Sequence, residues 1–384
     1  MRLHRTPLSA LPALALTAAI ITTACQADAN SSTDPFAADP WTLSDREARI
    51  GSVDDPDYIF NPILRMALGP DGLLYTAHGG EATIRKWTAD GAPAGSLGRR
   101  GEGPGEFQVP YQVGFFGDSL WVWDFARARV SYFDLQGEFL GSVAAKADVS
   151  WDVSPVRPIA PLRDGTFMWM RLPFFSPGPG APKEIPFARI DADGRRLALI
   201  WAQPWEPHDA DGQSFGDAHL SGLGRRGLLV VERRVWTGEG QATVRVSEIG
   251  FDGDTIFTAG VPYDPVPLTD ERFDSGIRTA ARGSSSEAQL RESMYRPPYL
   301  PAVGHVIGAE DGTIWLRRFD PVELETGGEV FEWWVLDGEG APLARARTPV
   351  GLDVRLITDD MVWGLERDEL DVEYIVRHRL MKDG

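Results

Sequence analysis

The chain has 384 residues, with 41 Gly, 29 Pro, 13 Trp, one Cys and a formal charge of -18. So acidic a balance excludes nucleic acid as a partner, because neutralising phosphates needs clustered Lys and Arg. Turn residues and large β-favouring aromatics together describe short strands joined by tight turns, and a lone cysteine excludes an internal disulfide.

Arg2 and Arg5 precede an apolar run over residues 8–21, and small residues follow. This is the pattern of a signal peptide over residues 1–24, too short for a membrane span. The run ends in Ile21-Thr-Thr-Ala-Cys25, which resembles a bacterial lipoprotein cleavage box with Cys25 as the lipid attachment site. Thr22 departs from the aliphatic residue usual in such boxes. Cleavage after Ala27-Asp-Ala29 is the competing reading; it discards Cys25 and leaves a soluble periplasmic protein. Residues 25–40 are small and polar and read as a flexible tether. The chain is therefore expected to be exported, and its contact with the membrane to run through a lipid anchor alone.

From Ile63 onward one pattern recurs six times. An apolar run meets an Asp-Gly-type turn, a strand rich in Trp, Val and Tyr follows, and a third strand closes on a further turn. The second copy is the clearest: Gly101-Glu-Gly-Pro-Gly-Glu-Phe107, Trp121-Val-Trp-Asp124, Arg129-Val-Ser-Tyr-Phe-Asp134 and Gly137. The fourth departs most, with Arg226 where the turn acid belongs. A period of about 40–50 residues is the mark of a propeller or solenoid. The sixth copy lacks a fourth strand, while a strand-like piece at residues 41–50 precedes the first. A strand from the other terminus that completes the last blade removes two open sheet edges. The expected fold is all-β: a six-bladed β-propeller over residues 41–384, closed by that N-terminal strand.

The Gly101–Phe107 segment, with Pro110, Trp123-Asp124, Arg129-Val130 and Phe133-Asp134, resembles an NHL-type repeat, and the set of copies is similar to bacterial exported six-bladed propellers of that group. The resemblance implies a fold more than a function, since that group spans lyases, lactonase-like enzymes and interaction modules.

Two stretches break the period, residues 202–219 and 264–299. The second reads as a short helical insertion between blades four and five. Thr269 caps a segment with Phe273 and Ile277 at helical spacing, and Ser284-Ser-Ser-Glu287 reads as a capping box ahead of Leu290 and Met294.

In a propeller the hairpin turns share one face of the disc. They gather Asp71, Asp118, Asp164, Asp311 and Asp360 from one ring, with Asp90, Asp193, Asp252 and Asp337 from the other, as turn formers. The opposite face gathers His78, Asp124, Arg127 and Arg367, and a candidate anion-binding rim of Arg171, Arg233, Arg234, Arg317 and Arg318. Arginine offers forked donors to carboxylate or phosphate; the alternative is that these arginines pair with rim carboxylates such as Glu232 and Glu366. For a metal at the channel mouth, His219 and His305 lie nearest the innermost strands, but no His-x-His or His-Glu-x-x-His spacing supports them. No cofactor, catalytic residue or metal ligand is assigned. The expected function is a cell-envelope binding or scaffolding propeller for an envelope protein or an anionic small ligand. The alternative is a metal-dependent lyase or lactonase-like hydrolase.

Overall fold

In a computed structural model the apolar runs pair in chain order into six antiparallel sheets of four strands. The structure describes residues 36, 39–52, 54–55, 58, 60, 63–144, 156–171, 183–204, 215–238, 240–281, 286–319 and 328–382. The signal peptide, Cys25, most of the tether, His208 and residues 205–214 of the first irregular stretch lie outside these. Among the described residues no helix is long and apolar enough to cross a membrane.

The fold is the expected six-bladed β-propeller with helices between blades four and five. The first strands of the blades are β2 (Ile63–Leu68), β6 (Pro110–Phe116), β10 (Val156–Pro161), β14 (Leu220–Leu223), β18 (Val303–Gly308) and β22 (Asp353–Ile357). All six contribute residues to one cavity at the centre. The sixth sheet has the order β1 (Thr42–Ile50), β24 (Glu373–Met381), β23 (Met361–Arg367), β22. Thr42 stands opposite Met381 and Ile50 opposite Ile375, antiparallel. Upstream of β1, Trp41 exchanges backbone hydrogen bonds with Arg345 and Arg347 at the edge of blade five. Phe36, 3% exposed, stacks on Trp334 in the seam between blades four and five.

Each seam between neighbouring blades holds its own buried apolar cluster. Tyr75, Phe107 and Phe133 fill the one between blades one and two, Trp121 and Trp169 the next, and Trp315 and Trp333 the one between blades five and six. The last and first blades meet through Ile50, Trp87 and Trp363. The sheets stack face to face, so bulk is needed there, and each such side chain contributes roughly 1.5–3 kcal/mol on burial. The Gly-rich motif of the second copy serves the same end. Glu106 accepts from the Gly103 N–H at 2.8 Å and pairs with Arg99, which seats Phe107 in its seam. Gly98, at φ +79°, leaves no room for a side chain beside the Phe107 ring.

Several of the turn acids act on their own backbone, while Asp252 pairs with Arg189 and Asp360 with Arg379. Asp71, Asp164 and Asp311 each accept from the N–H two residues on, and Asp337 accepts from Glu339 and Ala341. In the third blade Asp191 does this rather than Asp193, since only the first acid of the turn faces the returning N–H groups. Where the fourth blade has Arg226, buried Glu248 reaches across from the neighbouring strand to accept the Arg226 N–H at 2.7 Å.

Between β17 (Thr255–Tyr263) and β18 lie α1 (Asp270–Ala281) and α2 (Glu287–Ser293). The Thr269 hydroxyl caps α1 through the Arg272 N–H. The capping box of α2 is Ser286 with Gln289, two residues beyond the Ser284 and Glu287 pair expected from sequence. Gln serves at the third helical position as well as Glu does. Phe273, Ile277, Met294 and Leu300 form a separate small core with Phe215 from the first irregular stretch. The two breaks in the repeat thus fold onto each other as one flap.

Candidate functional site

Five of the six first strands carry an extra residue opposite the second strand: Leu64, Tyr111, Ile159, Gly304 and Arg355. A bulge of this kind bends the strand and re-aims the side chains beside it. Arg65, Gln112 and His305 each follow the bulge directly in their strands, so they occupy equivalent steps of blades one, two and five.

Two adjoining cavities occupy the centre and share Arg65, Arg355 and Ile307. The smaller, of about 200 Å³, is bounded also by His305, Asp353, Ile63 and Met66. The larger, of about 350 Å³, reaches Gln112 and Ser221 and runs along Ile159, Met170, Leu223 and Val306. One wall is charged and the other apolar.

The charged wall is arranged by short links. Asp353 accepts from Arg355 Nε at 3.0 Å and Nη2 at 2.5 Å. Arg65 lies 5.9 Å over the Tyr111 ring. Arg317, opposite His305 in register, lies 4.5 Å over the Phe331 ring. Burial pulls the Arg317 guanidinium below its usual range, against the opposing pull of Asp353. Burial also lowers the His305 pKa, with Arg317 and Arg355 adding to the effect and Asp353 opposing it. His305 is therefore a neutral imidazole at neutral pH, facing a cationic wall.

The rim arginines have separate fates. The Arg318 guanidinium pairs with Glu332 at 3.1 Å, and Arg233 donates to the Gly216 carbonyl at 2.8 Å. Arg234, only 5% exposed, pairs with Asp217 at 2.7 Å, donates to the Leu300 carbonyl and lies 5.5 Å over the Tyr299 ring. It ties both irregular stretches to blade four. Arg171 ends its strand, and its side chain lies outside the described residues. The carboxylates named as rim partners choose others: Glu232 pairs with Arg245 and Glu366 with Arg46. Arg127 pairs with Glu102, and Arg367 with Asp371 and Glu373. Asp124 accepts from the Gln108 and Val109 N–H groups and so fixes the chain entering blade two.

His78 is fully buried, with its Nε2 2.7 Å from the Thr76 hydroxyl. Burial, helped by Arg85, lowers its pKa to about 3. It is a packed neutral residue facing Phe60. The His378 Nδ1 lies 3.0 Å from the Ser44 carbonyl. Among the described residues no three His, Cys, Asp or Glu side chains stand together in a way that could hold a metal ion. In the channel the donors are His305 and an Asp353 already engaged by Arg355, beside further guanidinium groups, and that set does not fit a divalent cation.

Sequence reasoning placed His305 near the channel and Arg317 on the rim, but missed Arg65, Gln112, Ser221, Asp353 and Arg355. Stacking the first strands of the copies brings most of them into one column, and that was the available signal.

No family model matches the chain, and no curated protein matches it in sequence. Solved structures similar to it are propellers of low identity. A protein from Bacteroides fragilis described as a putative exported protein is 13% identical, covering 91% of this chain and 98% of its own, with a TM-score of 0.49. The PQQ-bound aldose sugar dehydrogenase of Streptomyces coelicolor is 15% identical over 88% of this chain and 97% of its own, with a TM-score of 0.41. A catalytically inactive virginiamycin B lyase of Staphylococcus aureus, solved with quinupristin, is 10% identical over 82% and 80%, with a TM-score of 0.37.

Proposed function

We propose that this protein is an exported binding propeller of the cell envelope, tethered by a lipid on Cys25, whose site is the central channel and whose ligand is a small anion. The observation that carries the reading is the placing of Arg65 and Arg355 on the wall shared by both central cavities of a chain whose net charge is -18. An acidic protein repels anions over most of its surface, so a guanidinium pair inside a concave, partly desolvated channel forms a local well for one. Arginine presents planar paired donors to an oxyanion. His305, neutral and beside them, offers a further hydrogen bond without a charge. In this reading Arg317 reinforces the field from behind, while Arg318, held by Glu332, and Arg234, held by Asp217, serve the rim and the flap.

Calorimetric titration with sulfate at low ionic strength tests the site. Arg65→Gln and Arg355→Gln are each expected to weaken binding about 10-fold or more, as for lost hydrogen bonds to a charged group, and Arg318→Gln to leave it unchanged. Lowering the pH protonates His305 and adds a positive charge to the wall, so sulfate affinity rises as pH falls. Binding that ignores both channel arginines and weakens with Arg318→Gln would move the site to the rim.

A further inference from the structure

Resting on the channel reading, we infer that the ligand is an amphipathic acid: an oxyanion head held at Arg65 and Arg355 with a short apolar body lying along blades three and four. The larger cavity is asymmetric. On one side stand Arg65, Arg355 and Gln112; on the other stand Ile159, Met170, Leu223 and Val306. A site for a bare inorganic ion or a sugar acid has no use for the second wall, because polar hydroxyls placed there leave their hydrogen bonds unmade. An alkyl or aryl body gains by displacing water from it. The bulge contributes directly, since Ile159 is the extra residue of its strand and its side chain lines the cavity where blade six supplies Arg355 from the same kind of position. Two equivalent bulges thus present opposite chemistries across one space.

The cavity of about 350 Å³ is large enough for the body of a medium-chain or single-ring carboxylic acid. Asp353 keeps Arg355 partly neutralised, which suits one head group better than two. Gln112 on the charged side and Ser221 beside Leu223 also line the cavity, where a hydroxyl or amide on the ligand would find a partner.

The test is a calorimetric series of acetate, butanoate, hexanoate and octanoate, with hexanol as the uncharged control. Affinity is expected to rise about fourfold per added methylene up to the length the cavity holds, and then to level off. Hexanol is expected to bind at least tenfold more weakly than hexanoate, and Met170→Gln to flatten the chain-length slope while sparing acetate. Equal affinity for acetate and octanoate would overturn this inference and leave the anion site standing. Binding of hexanol as tight as hexanoate would overturn the anion site and this inference together, while sulfate bound with no acid bound at all would overturn this inference alone. The wild-type titrations alone decide between these outcomes, so the conclusion does not depend on how well the variant folds.

Discussion

The seams between the blades and the channel at their centre are built from the same strands, yet they use their residues in opposite ways. In the seams, aromatic side chains such as Trp315, Trp333 and Phe107 are buried against the next sheet, and the Trp315 and Trp333 indole N–H groups donate to Thr313 and Thr348. In the channel, guanidinium groups stand on the walls of a cavity. Two histidines make the contrast concrete. His78 is sealed beside Phe60 and bonded to Thr76, whereas His305 looks onto Asp353 and Arg355. Regular apolar packing marks the seams, and charged groups set on cavity walls mark the channel.

The contrast is sharpest under substitution. Trp333→Ala empties a seam position shared with Trp315 and Thr348, and a loss of about 3–5 kcal/mol is expected in chemical denaturation, while Arg355→Gln in the channel changes stability by under about 1 kcal/mol. If the two cost the same, the channel arginine is structural and the contrast fails. Arg234→Ala removes the buried partner of Asp217 and the donor to Leu300. It is expected to cost about 3 kcal/mol and to speed proteolysis within α1 and α2 before the blades unfold; simultaneous loss of flap and blades would show that the flap is part of the ring's core.

Acid should act through the seam histidine. The folded pKa of His78 is near 3 against 6.5 for the free side chain, so the unfolded chain takes up a proton that the folded one refuses. The stabilising contribution is complete above pH 6.5 and is lost as pH falls from there toward 3, at up to about 1.4 kcal/mol per unit. His78→Gln is expected to flatten that part of the stability–pH curve, and an unchanged slope would assign it to other groups. The smallest effect is expected at the flap surface. Ser286→Ala removes the capping box of a seven-residue helix with no buried residues, for about 1 kcal/mol or less, read as faster amide exchange confined to α2.

Much of the ring was legible in the sequence because its signals are local. Asp-Gly turns such as Asp71-Gly72 and Asp311-Gly312 mark hairpins through one acid and one positive-φ glycine. The recurring Trp of the second strands marks a face that packs in a seam, Trp121, Trp315 and Trp363 toward the following blade and Trp169 toward the preceding one. The channel was not legible, because alternation along a strand assigns faces only while the register holds. The extra residue at Leu64, Tyr111 or Gly304 shifts the register within a strand of six or seven residues. Arg65 and Gln112 then read as ordinary polar positions. The rim arginines stood out because they follow conspicuous apolar runs, though Arg233 and Arg234 lie inside a strand that continues to Gly238. Such a position says nothing of the partner, and Glu332 and Asp217 come from other parts of the chain.

The most direct test of the channel as the binding site is a crystal structure of the protein soaked with 4-bromobenzoate, read by the anomalous signal of bromine. The channel reading predicts one strong peak between Ile159, Met170 and Leu223, with the carboxylate on Arg65 and Arg355. Bromine at the rim beside Arg318, or a channel without the acid at concentrations that saturate binding in solution, would contradict it.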